Sequence, residues 1–388
     1  MTRVVIVRGH QATPWELRPW ERLGDRFDVA YLASSANQFD VGSLGIEPLP
    51  ARTRVSRLPK RLGAAATRLT GDRYVGLAGA LAGADIVHAE ELGYWFAADA
   101  ARVKHDVGFR LVQTVWETLP LGDAFRNRNA RRNRAHVLAA TDLFLAATER
   151  ARAALILEGV PQERVVVCPP GIDVQRFAAP AAEPPTGHVI LSPGRLVWEK
   201  GHHDVIRALA ALARGLAGPV PDPLPRLVIV GAGPEAARLR AHADELGGGE
   251  RVEIRSAPYD EMPALFASAS CMVLASLPSA ACMLHPLDVP HCFWEEQFGM
   301  VLAEAMAAAL PILAARSGAI PEVLAGAAPL FEPGDWPGLA RLLADGPLAG
   351  PPGARAEYDP ALIERYSVDA AAERLAAAYD RVLAGPAA

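Results

Sequence analysis

Residues 190–206 read ILSPGRLVWEKGHHDVI. An apolar run ends at Ser192, a Pro-Gly turn follows, and two cations five apart, Arg195 and Lys200, stand in the loop before a helical stretch. Strand, loop and helix in that order are the repeating unit of a parallel α/β sheet, and such sheets bind ligands in loops off the carboxyl ends of their strands. Arginine offers a planar fork and lysine a point charge, both suited to phosphate oxygens. Taken alone, the pair also reads as two ordinary surface cations.

The same alternation extends both ways along the chain. Towards the N-terminus, strands are expected near residues 4–7, 28–32, 85–89, 110–115, 143–147 and 164–168, with amphipathic helices such as 131–140 and 149–158 between them. Beyond the first stretch, strands recur near 227–230, 252–254, 271–275 and 311–314. The run AAPAAEPPTG (178–187) combines three prolines with small residues, so it reads as a linker. The expected fold is α/β: two doubly wound Rossmann-like domains, 1–180 and 186–365, facing across a cleft. After a Gly/Pro-rich break at 345–353, a helix is expected over 366–385 with Ser367 as its N-cap. It either closes the second domain or packs back on the first.

Composition narrows the function classes. A chain of 388 residues that is 51% hydrophobic and 21% charged has material for two sizeable cores and is no disordered tail. Residues 1–183 hold 24 Lys and Arg against 20 Asp and Glu, and the remainder 15 against 24. Neither half has the basic excess that drives nucleic-acid binding. Four cysteines, at 168, 271, 282 and 292, make no disulfide framework, and the opening MTRVVIVRGH is too short an apolar run for a signal peptide. A cytoplasmic protein is expected, at most peripheral to the inner face of the membrane. Arg52, Arg54, Arg57, Lys60, Arg61 and Arg68 interleave with leucines, so segment 52–68 could lie on anionic lipid or present a solvated basic face.

The densest chemistry is EEQFGMVLAEAM, residues 295–306. Glu296 precedes a Phe298-Gly299 turn and Glu304 falls about one turn inside the helix that follows, so both carboxylates can face one ligand. The free N–H groups at that helix start suit a phosphate. A solvated pair of glutamates is the plainer alternative. VVVCPPGIDVQRF (165–177) runs a strand into a rigid turn.

Together PPGID followed by Phe177, SPGRLVWEKG, VIVGAGPEAARL, and EQFGMVLAEAM followed by SGAIPEVL resemble the family 4 glycosyltransferases of GT-B architecture. The likeness runs from about 165 to 335; the first 160 residues match weakly, mainly in strand order and in DIVHAEE. It implies transfer of a sugar from a nucleotide-diphosphate sugar to an acceptor, retaining anomeric configuration, usually without metal or other cofactor. Arg195 and Lys200 would then neutralise the departing diphosphate, with Glu296 on the sugar's hydroxyls and Glu304 on the ribose. The backbone of Phe298, Gly299, Met300 and Val301 would take the sugar and β-phosphate, and Gly231 and Gly233 would lie near the nucleotide.

Three departures from the family pattern stand out. Gly9 is alone where a glycine pair is common after the first strand; Trp116 and Glu117 replace a usual His-Asp pair; and residues 276–296 form a long connection. His10 and His88 are the remaining candidates near a reaction centre, each also readable as structural. Cys282, His285, His291 and Cys292 are metal-capable types, but their spacing is no zinc signature. Gly231-x-Gly233 after a strand also fits a dinucleotide fingerprint, so an NAD-dependent dehydrogenase stays open, beside a nucleotide-sugar epimerase and a non-catalytic glycan-binding relative. The acceptor, donor sugar, base and oligomeric state are not legible.

Overall fold

A computed structural model describes residues 1–39, 45–51, 72–121, 128–178, 186–278 and 294–385. The basic segment 52–68 and the four metal-capable residues 282, 285, 291 and 292 lie outside them. The chain divides into two compact units, Met1–Ile172 with Ser367–Ala388, and Asp173–Tyr366. The first unit is left at Ile172 and regained at Ser367, and these two residues pair in a parallel bridge. Residues 173–178 therefore go with the second unit, ahead of the proline-rich stretch.

In the first unit β1 (Thr2–Val7), β2 (Phe27–Ser34), β3 (Glu47–Leu49), β4 (Ile86–Glu90), β5 (Arg110–Val115), β6 (Leu143–Ala146) and β7 (Val165–Val167) make one parallel sheet, ordered β3-β2-β1-β4-β5-β6-β7. Alternate residues point to opposite faces, and both faces are covered, which is why the central strands are apolar on both sides. Val5 and Val7 pack with Val87, Leu111 and Phe144 on one face, and Val4 and Ile6 with Ile86, Val112 and Leu145 on the other. The second face is roofed by Leu17 and Trp20 of the helix Pro14–Glu21 and by Leu375, Ala376 and Tyr379 of the C-terminal helix Val368–Ala384. Ser367 caps that helix, its Oγ accepting from Ala370 N at 3.0 Å.

In the second unit β8 (Val189–Pro193), β9 (Arg226–Val230), β10 (Val252–Arg255), β11 (Cys271–Leu274), β12 (Ile312–Ala315) and β13 (Leu330–Phe331) form a parallel sheet ordered β10-β9-β8-β11-β12-β13. Ile190, Ile229, Val273 and Leu313 pack with Val205, Leu209 and Leu212 of the helix His202–Ala213. Strand order reverses between β8 and β11, as it does between β1 and β4 in the other sheet. Such a reversal parts the crossover connections and opens a crevice at the carboxyl ends of the central strands. The short edge strands β3 and β13 were not expected from the pattern.

Candidate functional site

At the carboxyl end of β8 the chain turns through Gly194, Arg195 and Leu196. This loop lies on the loop after β9: Gly194 N donates to Val230 O at 2.9 Å, Leu196 N to Ala232 O at 2.9 Å, and Glu235 N to Leu196 O at 3.0 Å. A Cβ on Gly231 would collide with Gly194 O, and one on Gly233 with Leu196 O. Main-chain contact with the Arg195 loop thus accounts for both glycines, whereas a dinucleotide fingerprint would need the second for close approach of a pyrophosphate. His202 fixes the loop from below. Burial drives its pKa down to about 4, so the ring is neutral. Its Nε2 then donates to Arg195 O at 3.2 Å while Nδ1 accepts from Ser192 Oγ at 2.9 Å. The Arg195 side chain is exposed.

Lys200, at the end of the same loop, is buried against Glu296. Its Nζ donates to Glu296 Oε2 at 2.6 Å, and Ser276 Oγ, fully buried after β11, donates to the same oxygen at 2.5 Å. Side-chain exposures of 13% and 7% place this ion pair away from bulk water, where charge-assisted hydrogen bonds are strong. The Trp294 ring lies 5.0 Å from the Lys200 ammonium, a cation–π contact. The Glu296 main chain is clamped as well: Ala319 N donates to Glu296 O at 2.8 Å. Gly318 has φ +53, and a Cβ there would run into Glu296 O. Only glycine fits that seat.

Gly299, with φ +80, caps the helix Met300–Ala307, so the first-turn amides begin four residues after Glu296. Phe298 is buried edge-on against Tyr366 at 5.3 Å. Glu304, one turn in, is buried, and Tyr259 Oη donates to its Oε1 at 3.0 Å. Burial lifts its pKa to about 7, opposed by the Tyr259 hydrogen bond and the charge of Arg176. The two glutamates thus share a helix entry but have different partners: a cation and a serine for Glu296, a phenol for Glu304. Ser276, Gly318, His202 and Tyr259 were not singled out by the sequence. Of these His202 lay in the stretch 190–206, Ser276 at the start of 276–296 and Gly318 in SGAIPEVL, each with no stated task, and Tyr259 lay in none of them.

The candidates of the first unit fall into two kinds. His88 is wholly buried in β4, with Nδ1 2.7 Å from Tyr379 Oη and Nε2 2.8 Å from Thr114 Oγ1. Trp20 Nε1 donates to Tyr379 Oη at 2.6 Å. Burial holds the His88 pKa well below its usual value. The Tyr379 hydroxyl therefore donates to Nδ1, and the neutral ring donates from Nε2. His88 is thus a core residue that ties the C-terminal helix to the sheet, the structural one of its two readings. Gly9 and His10 follow β1. A Cβ on Gly9 would lie 2.7 Å from the Phe96 ring, and His10 packs on Trp95 at 5.1 Å with Nε2 3.6 Å from Asp72. Trp116 follows β5, its amide donating to Glu91 Oε1 at 2.8 Å, and Glu117 is buried, Oε1 accepting from the amides of Thr118 and Leu119 at 3.1 Å each. Among the described residues no three metal-capable side chains gather, and no helix is long and apolar enough to cross a membrane.

Residues 173–345 match the family described as Glycosyl transferases group 1, and residues 10–171 match the Glycosyl transferase 4-like domain. The chain is similar to the GDP-mannose-dependent alpha-(1-6)-phosphatidylinositol monomannoside mannosyltransferase of Mycolicibacterium smegmatis, 36% identical over 166 residues, 40% of this chain and 39% of that protein. It is also similar to D-inositol 3-phosphate glycosyltransferase 1 of Catenulispora acidiphila, 28% identical over 310 residues, 72% and 68% of the two chains. The match thus spans about two fifths of the mannosyltransferase's length. Among solved structures, Anabaena HepE in complex with UDP and glucose superposes with a TM-score of 0.71 at 18% identity, over 98% of this chain and 100% of that one. Sucrose-phosphate synthase from Thermosynechococcus elongatus does so with 0.72 at 16% identity, over 99% and 100%. At such identity the likeness carries the fold, GT-B with its two Rossmann-like sheets.

Proposed function

The chain belongs to the family 4 glycosyltransferases, and we propose that it moves a sugar from a nucleotide-diphosphate sugar to a hydroxyl-bearing acceptor, with retention of anomeric configuration and without a metal ion. The observation that carries this reading is the buried pair Lys200–Glu296, 2.6 Å apart off the carboxyl ends of β8 and β11, with Glu304 in the helix that follows. In transfer, the bond from the anomeric carbon to the diphosphate breaks and its electrons leave with the phosphate oxygen. The acceptor oxygen bonds to the vacated carbon and passes its proton to the departing phosphate oxygen. Lys200 and Arg195 meet the charge that grows on the diphosphate, where preorganised cations act most strongly. Glu296 accepts hydrogen bonds from the sugar's hydroxyls, Glu304 takes the ribose, and the amides of residues 298–301 meet the sugar and β-phosphate. Without donor, Lys200 and Glu296 neutralise each other; donor entry exchanges that contact for phosphate on one side and hydroxyl on the other. His10, Trp116 and Glu117 are assigned to the acceptor side.

GDP-mannose and UDP-glucose, taken from the relatives, are the first donors to test, with inositol phosphates and phosphatidylinositol mannosides as acceptors. A donor at about 100 times its Kd raises stability by about 2.7 kcal/mol, which a thermal-shift assay reads. Release of nucleoside diphosphate that disappears in Glu296→Ala supports the reading; a panel of nucleotide sugars that neither stabilises the protein nor turns over refutes it. Product anomer by NMR tests retention, and turnover in excess chelator tests metal independence.

A further inference from the structure

Tyr259 belongs to none of the sequence motifs, yet its surroundings are built. Asp173 caps the short helix Val174–Phe177, its Oδ1 accepting from Arg176 N at 3.2 Å, which presents Arg176 and Phe177 to one ring. The Arg176 guanidinium lies 5.1 Å over the Tyr259 ring and pairs with Asp260, while Phe177 meets the ring edge-on at 6.0 Å and is itself braced by Phe266 at 5.4 Å. So held, the phenol is aimed at Glu304 Oε1, 3.0 Å away. A phenol hydroxyl stabilises a carboxylate acceptor and fixes its rotation, and a carboxylate has a second oxygen with which to accept from another partner. We infer that Tyr259 is a positioning residue: it orients the Glu304 carboxylate to accept hydrogen bonds from the vicinal hydroxyls of the donor's ribose. The inference rests on the assignment of Glu304 to the ribose. Burial opposes ionisation of Glu304, and the Tyr259 hydrogen bond works against that opposition, so the phenol also favours the form that accepts.

The test uses the full chain and titration calorimetry with GDP and UDP, each beside its 2′,3′-dideoxy analogue. Wild type is expected to prefer the ribonucleotide. Tyr259→Phe should weaken the ribonucleotide about tenfold and the dideoxy analogue less than about twofold, with part of the loss recovered as pH rises above about 7. Glu304→Gln should erase the preference outright. Equal loss on both nucleotides in Tyr259→Phe, or an unchanged preference, overturns the inference while the ribose assignment stands through Glu304→Gln. If wild type itself does not distinguish the two nucleotides, or binds neither, the ribose assignment fails and Tyr259 falls with it.

Discussion

Both sheets bury hydrogen-bonded polar side chains, and the two sets do different work. In the first unit Trp20, Tyr379, His88 and Thr114 form a chain inside a sheet face, under the C-terminal helix. In the second, Lys200, Ser276, Glu296 and Glu304 lie off the ends of the central strands, where connections diverge. A buried histidine and a buried glutamate look alike in sequence. What separates them is position along the strand: mid-strand groups satisfy one another and hold the fold, while groups past the carboxyl end stay available to a ligand. Charge differs too. His88 is neutral, whereas Lys200 and Glu296 form an ion pair.

The contrast is broken most directly by Lys200→Ala and Arg195→Ala. Each should lower kcat by about 10²–10³, in line with losing one preorganised charge contact, while circular dichroism stays native. Unchanged turnover in either would return the loop to ordinary surface charge.

Glu304→Gln sharpens it through pH. Glu304 in the fold has a pKa of about 7 against 4.5, so between those values the native state binds more protons than the unfolded one, and stability falls as pH rises. Glutamine mimics the protonated form. At about pH 8 the variant should be more stable than wild type by on the order of 3 kcal/mol, at about pH 4 no different, and the preference for a ribonucleotide over its dideoxy analogue should be lost throughout. Equal urea midpoints for the two proteins under the alkaline condition would contradict the assigned burial of charge.

Gly318→Ala should cost about 2 kcal/mol, because the new methyl meets Glu296 O at positive φ, and should weaken donor binding along with it. Tyr379→Phe is the mirror test and the smallest in its effect on function: about 2 kcal/mol of stability or more, from Trp20 and His88 each losing a partner, with donor affinity unchanged by calorimetry. Altered donor affinity there would erase the distinction between the two polar sets.

Strands were legible where both faces are buried, because four apolar residues in a row leave an unmistakable run, as at 4–7 and 143–146. β3 and β13 were not: Glu47–Leu49 contains a proline and Leu330–Phe331 is two residues long, too little for any period to show. In the site, Arg195, Lys200, Glu296 and Glu304 could be read because each falls in a compact local motif of loop and helix start. Tyr259 reaches Glu304 across 45 residues and Ser276 reaches Glu296 across 20, so no local pattern announces them. His88 could be left only between two readings for the same reason, its phenol partner lying 291 residues away.

The helix Val368–Ala384 covers a face of the first sheet yet is encoded after the whole of the second unit. During synthesis that face, with Val4, Ile6 and Leu145, has only the helix Pro14–Glu21 for cover while roughly two hundred intervening residues emerge, about 10–40 s at ordinary translation rates. The second unit is therefore complete in the growing chain before the first, and the earlier-made sheet receives its last cover only when synthesis nears its end.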